Sequence, residues 1–280
     1  MQSEMTDQFQ TLAGLPESQL GLAEGALIVA AESRPELDIE SSLAAIAQLV
    51  ERIRPHVDAA DTPSRVIGAL NHAFFEVDGF RGNRENYDDP RNSDLEHVLS
   101  RRKGLPITLS VLYVEIARQL GLEAYGIGFP AHFLAKIVGV NDSPEGEIIV
   151  DAFFGQIVGR DECGDRLRAA LGEEAIDDRR WLRPVTALEI YVRMLNNLKI
   201  LYLRDGDGLG ALGCFDRILT LSPLAAHEYR DRGSLLERLQ CTHAAIANYT
   251  QFLELAPDQE DSAAIRRRRD ALSQAKPTLN

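Results

Sequence analysis

Apolar residues recur at helical spacing in LGLAEGALIVAAE and more regularly in LDIESSLAAIAQLVERIRPHV, which predicts two helices early in the chain. Asp38 or Ser41 is placed to open the second. A third is expected from near Asp61, with Pro63 in its first turn, through SRVIGALNHAFFEV to a stop at Gly79. FRGNRENYDDP is polar and turn-forming, and Ser93-Asp94-Leu95-Glu96 has the spacing of a capping box ahead of LEHVLSRRK. Pro106 restarts a helix, ITLSVLYVEIARQL, that is apolar on most faces and ends at Gly121; such a helix belongs in a core. EAYGIGFP, HFLAKIVGV and GEIIVDAFF then read as strands, the last two joined by the turn segment NDSPEG. A hairpin centred near Asn141 and Asp142 pairs residues whose numbers sum to about 283, which sets His132 opposite Asp151.

The remainder is helical and repetitive. Ala211, Phe215, Ile218 and Pro223 are matched at one fixed period by Ala245, Tyr249, Phe252 and Pro257. Leu198 and Tyr202 fill the corresponding first-helix positions of one repeat, and Tyr229, Gly233 and Leu236 those of the next. Small residues let paired helices approach, and aromatics plug the gap between successive pairs. This pattern resembles the tetratricopeptide repeat, with Arg232 standing where that repeat carries leucine. A helix from about Ser262 to Ala275 is expected to cap the array.

Composition narrows the possible partners. A chain of 280 residues has room for two compact units. A formal charge of -13 disfavours nucleic acid and anionic lipid as partners. The one dense basic run, Arg266 to Arg269, is flanked by Asp258, Glu260, Asp261 and Asp270 and reads as a solvated helix face. Cys163, Cys214 and Cys241 are odd in number and lack metal-ligand spacing, so neither a zinc site nor a disulfide framework is expected. The first twenty residues are polar, and nowhere do eighteen apolar residues run together. No glycine-rich nucleotide loop is present. The expectation is a cytoplasmic protein without cofactor, metal or membrane span.

The order GLPITLSVLYVEIARQLGL, HFLAKI, IIVDAFFG resembles the transglutaminase-like superfamily, whose papain-type members carry a Cys, His and Asp triad. The matching residues are Gly104, Pro106, Arg118, Gly121, His132 and Asp151, and Pro106 stands where the cysteine should be. That family sets its thiol at a helix N-terminus, where the dipole and the imidazole favour thiolate; proline keeps the helix start and removes the nucleophile. The resemblance implies a vestigial base and orienter, His132 and Asp151. Taken with the repeats, NSDLEHVLSRRKGLPITLS, GIGFPAHFLAKI, VDAFFG and YVRMLNNLKILYL make the chain similar to the SirB-type transglutaminase-like/tetratricopeptide family of bacterial proteins.

The expected fold is α+β: a helical N-terminal part, a papain/transglutaminase-like core with a central helix and small antiparallel sheet, then an all-α repeat segment. The expected divisions are a mobile start over 1–20, a transglutaminase-like domain over 21–160, a linker over 161–184 and repeats over 185–280. The repeats themselves fall at about 192–225 and 226–259. Asn92, Arg101, Arg102 and Pro130 lie in the segments carrying the resemblance. Asn92 is suited to cap the short helix and the arginines to pair with Asp94 or Asp151, with ligand contact as the alternative. The function expected is a non-catalytic, regulatory scaffold whose repeats bind a protein or peptide. The alternative is a hydrolase or acyltransferase using Thr108 with His132 and Asp151.

Overall fold

The computed structural model describes residues 2–143, 145–172 and 178–274. They form two compact units, one of Gly14–Met194 and one running from Leu195 onwards that also takes in Gln2–Ala13. In chain order the elements are α1 (Gln2–Gly14), α2 (Leu22–Ala31), α3 (Ile39–Asp58), α4 (Pro63–Asn71), β1 (Arg81–Gly82), α5 (Leu95–Arg101), β2 (Lys103–Gly104) and α6 (Pro106–Gln119). There follow β3 (Ala124–Ile127), β4 (Leu134–Val138), β5 (Glu147–Asp151), β6 (Gln156–Val158), α7 (Arg160–Leu171), α8 (Asp178–Trp181) and α9 (Ala187–Asp205). The chain closes with α10 (Gly208–Leu221), α11 (Ala226–Arg238), α12 (Thr242–Leu255) and α13 (Ser262–Gln274).

In the first unit, local chemistry fixes the helix starts. Asp38 accepts the Ser41 amide at the head of α3, and Thr62 accepts the Arg65 amide with Pro63 following it at the head of α4. Helix α3 buries Ile46, Leu49, Val50, Ile53 and Val57, the stripe its periodicity predicts. α4 runs on through a π-helical segment, His72–Val77, and the chain turns at Gly79 with φ 74°. Helix α6 is buried on nearly every face and packs against α2, α3, α5, β3 and β4, so it is the centre of the unit.

The main sheet is antiparallel in the order β3-β4-β5-β6, and β1 pairs with β2 in parallel. The hairpin register differs from the expected one. Ala135 faces Val150 and Val138 faces Glu147, so the centre is displaced by one residue, and His132 lies in the turn before β4. The loop is wide because Gly139 and Gly146 adopt positive φ, and Val140 N–H donates to Gly146 O. Asp142 in that loop accepts the Ser64 amide at 3.0 Å, a tertiary anchor at the head of α4. Residues read as a linker are packed: Cys163, Leu167 and Leu182 share a core with Ile127, Phe129, Leu134, Ile149 and Val158.

The second unit is built as the repeat pattern requires. Ala211, Phe215 and Leu235 form one cluster with Tyr202 and Leu212 beside them. Ala245, Tyr249, Phe252, Leu253, Ala256 and Ile265 form another, joined by Tyr229 and Leu236. Gly233 is required here, because a Cβ would meet the Tyr249 ring at 2.7 Å. Leu198 is buried, and the Tyr229 hydroxyl donates to Pro223 O at 3.3 Å; Pro257 follows α12 as Pro223 follows α10. Arg232 replaces apolar packing with polar bridging: its Nε donates to Asn248 Oδ1 at 2.7 Å and its guanidinium pairs with Asp216. Ile265 of α13 closes the second cluster; Ala275, where the sequence reading ended this helix, lies outside the described residues.

The expectation of a mobile start meets a helix, α1. Phe9 and Leu12 are buried within the second unit, and the Arg217 guanidinium lies 5.6 Å from the Phe9 ring centroid. Phe9 and Leu12 suffice in a mostly polar segment because the repeats present a surface that buries them. We expect Phe9→Ala to raise amide exchange over residues 8–14 by about tenfold or more, since α1 is too short to persist undocked. Unchanged protection would mean that packing of Phe9 does not order the helix.

Candidate functional site

His132 is positioned by a tight turn. The His132 amide donates to Phe129 O at 3.1 Å, and Ala131, after Pro130, takes a left-handed φ of 54°. Arg193 of α9 clamps this turn, donating from Nη2 to His132 O at 2.6 Å and to Phe129 O at 3.2 Å. Ser110 of α6 holds the next carbonyl, Phe133 O, at 3.3 Å.

Asp151 ends β5 and is fully buried. Its Oδ1 accepts the amides of Phe153 and Phe154 at 3.1 and 3.2 Å, a local turn set by the carboxylate itself. His132 Nε2 lies 2.9 Å from both carboxylate oxygens, and Arg166 of α7 donates to Oδ2 at 2.7 Å. Burial pushes the Asp151 carboxyl up, but the hydrogen bonds from His132 and Arg166 outweigh it and leave the group below its ordinary range. An ionised carboxylate can only accept, so His132 Nε2 carries the proton and Nδ1 is the atom left to meet a ligand. The expected pairing of His132 with Asp151 is thus formed through a turn rather than directly across two strands.

The nucleophile candidates are arranged otherwise. Pro106 is the first residue of α6 and is buried. Thr108 is fully buried and serves as a cap: the Leu105 amide donates to its Oγ1 at 3.0 Å, and its hydroxyl donates to Asn92 O at 2.7 Å. Cys163 is buried in the core, and burial raises its thiol to about 11, so it stays protonated.

Other sequence expectations need correction. The short helix α5 is capped by Asp94, which accepts the Glu96 and His97 amides, and not by Asn92 or Ser93. Asn92 is fully buried and organises the preceding loop, donating to Asn86 O and Tyr87 O and accepting from Asn83. Arg101 pairs with Asp89 at 2.9 Å, and Arg102 lies over the Phe80 ring with Asp78 at 3.8 Å; neither reaches Asp94 or Asp151. Their placement comes from the parallel pairing of β1 with β2.

Residues without a sequence signal complete the site. The loop after β1 carries Tyr87 to 5.9 Å from the Phe153 ring and Arg84 to 5.6 Å over Phe154. Phe154 is 49% exposed although it stacks on His132 and lies beneath the Arg84 and Arg166 guanidinium groups, so part of an aromatic side chain meets solvent beside the imidazole. The doubled phenylalanine after Asp151 is the one pattern that could have flagged it. Among the described residues, Asp94, Glu96 and His97 are close enough to hold a metal, but Arg34 occupies their centre, donating to both carboxylates at 3.0 and 2.7 Å.

The family described as the transglutaminase-like superfamily matches residues 40–196, and the tetratricopeptide repeat matches residues 198–270. A UPF0162 protein of Xylella fastidiosa is 34% identical over 262 residues, 92% of each chain. A UPF0162 protein of Vibrio cholerae is 34% identical over 253 residues, covering 90% of this chain and 92% of its own. Mouse F-box only protein 21 is 33% identical over 152 residues, 51% of this chain and 23% of its own length. No described helix is long and apolar enough to cross a membrane. The pairing of these two domains supports a protein-interaction scaffold at the level of the family. With both its matched regions and its long relatives in agreement, the chain belongs to the transglutaminase-like superfamily, within the UPF0162 family.

Proposed function

We propose that this protein is a non-catalytic, regulatory scaffold of the bacterial cytoplasm. Its repeats take a protein or peptide partner, and its transglutaminase-like site keeps His132 and Asp151 without a nucleophile. The observation that carries the reading is Pro106 at the head of α6, with the nearby Thr108 hydroxyl spent on capping. A base and its orienter cannot perform covalent acyl transfer without an attacking atom. His132 and Asp151 then serve to fix the Phe153–Phe154 turn, and the exposed part of Phe154 offers a surface for an extended segment. In the repeats, His227 is exposed on α11 beside Arg230, which pairs with Asp231 and Asp261, and we place partner contact on this polar face.

Two measurements test this. Incubated with a glutamine peptide and a primary amine, the wild-type chain should release no ammonia above background; release that disappears in His132→Ala would overturn the non-catalytic reading. In capture from native lysate, the His227→Ala/Arg230→Ala variant should lose a partner that His132→Ala retains. The opposite pattern would move partner binding to the His132 site.

A further inference from the structure

Two helices outside the repeated pairs pack within the second unit, and they are held in different ways. α13 joins the Tyr249 cluster through Ile265 and is also bound by polar groups: Arg268 pairs with Glu237 of α11, and Ser262 Oγ donates to Ala256 O at 2.7 Å. α1 is held by apolar contact. Among the described residues from Asp7 to Gly14, only Phe9 and Leu12 are buried, and the one side-chain hydrogen bond is internal, from Thr11 Oγ1 to Asp7 O at 2.8 Å. Three residues apart, Phe9 and Leu12 share one helical face. On α10 the buried Arg217 guanidinium lies over the Phe9 ring. The cluster that joins α10 to α11, made of Ala211, Phe215 and Leu235, contains neither α1 residue.

A helix as short as α1 is marginal in water on its own, so it keeps its shape only while docked, and undocking is coupled to its unfolding. That opening leaves the α10–α11 cluster packed, which makes it a local event rather than unfolding of the unit. The surface it uncovers is already shaped for one kind of ligand: a helix that offers an aromatic ring to the Arg217 guanidinium and a leucine beside it on the same face. We propose that this α10 surface is a docking site for a partner helix carrying an aromatic residue and, three positions later, a leucine, with α1 as its competitor in cis. The partner binds by displacing α1, so its apparent affinity is set by the fraction of chains in which α1 is undocked. The surface lies on a different helix from His227 and Arg230 of α11.

The probe is a synthetic peptide of residues 2–14, titrated unlabelled into the isotope-labelled full chain so that only the chain is observed. At saturation, amide exchange at residues 8–14 of the chain should rise about tenfold or more, while exchange in α11 and α12 stays unchanged. Anisotropy of a fluorescein-labelled peptide gives its affinity. The Phe9→Ala/Leu12→Ala chain, which lacks the competitor in cis, should bind this peptide about tenfold or more tightly than wild type does. A peptide carrying Phe9→Leu should bind about fivefold more weakly, because leucine offers Arg217 no ring face. Should the double variant fail to fold, the exchange measurement and the two peptides decide on the wild-type chain alone. Exchange at residues 8–14 unmoved by excess peptide, equal affinity of the folded variant and wild type, or equal affinity of the two peptides would overturn the proposal.

Discussion

Replacing Asp151 by alanine should lower the unfolding free energy of the first unit by about 3–5 kcal/mol, the range for removing one partner of a buried ionic network. The carboxylate is fully buried and satisfies four donors from the His132 ring, the Arg166 guanidinium and the amides of Phe153 and Phe154. Alanine leaves the His132 ring N–H and two amides without that acceptor and reduces Arg166 to its one remaining carboxylate, Glu162 at 2.6 Å, and an orphaned buried donor costs more than the net worth of its bond. Denaturant unfolding followed by Trp181 emission reads this unit, because the fluorophore packs on its core. A loss below about 1 kcal/mol would mean that water replaces the carboxylate and that the network is open.

The same group gives a pH dependence whose sign follows from the depressed folded-state pKa. Unfolded, Asp151 titrates near about 3.9; folded, it titrates lower. Between the two values the unfolded chain binds more protons, so stability rises with pH there. The contribution is fully present above the unfolded value and is lost as pH falls through the folded one. The stability gap between wild type and Asp151→Asn should therefore be constant from pH 7 to about 5 and narrow below about 4. A gap that persists at the lowest pH would assign the effect to packing.

In the second unit, Tyr249→Ala should cost roughly 3–5 kcal/mol, as expected for emptying a large aromatic site in a core. Tyr249 is fully buried and joins Phe252, Leu253 and Ile265, with Gly233 closing against its ring. Its hydroxyl donates to Glu237 at 2.7 Å, so Tyr249→Phe should cost only about 1 kcal/mol, the usual net value of such a bond. The readout must separate the units, since one transition cannot be assumed for both. Helical circular dichroism should lose stability in Tyr249→Ala while the Trp181 transition stays in place. If both signals shift together, the two units unfold as one.

The starts of α3, α4 and α6 were legible because their signals are local: Asp38 accepts an amide of its own first turn, and Pro63 and Pro106 carry the fixed φ of a first helical residue. The register of the hairpin was not, because its loop is held by Asp142 on Ser64, far away in sequence. The same limit hid the site's surroundings. Arg166 lies among other charges in a helix read as linker, and nothing in its neighbours distinguishes the arginine that reaches Asp151 from Arg168, which pairs locally with Asp165. Phe9 was missed because a mostly polar helix has no signal of its own until a surface receives it.

The sequence by itself determined the α+β class and the repeat array, because periodicity and small-residue spacing are properties of neighbours along the chain. Tertiary structure decided how His132 meets Asp151, why Thr108 is a cap, and which arginine reaches the buried carboxylate. Those outcomes depend on where distant segments converge, and the energy of a buried charge is set by the partners that convergence supplies.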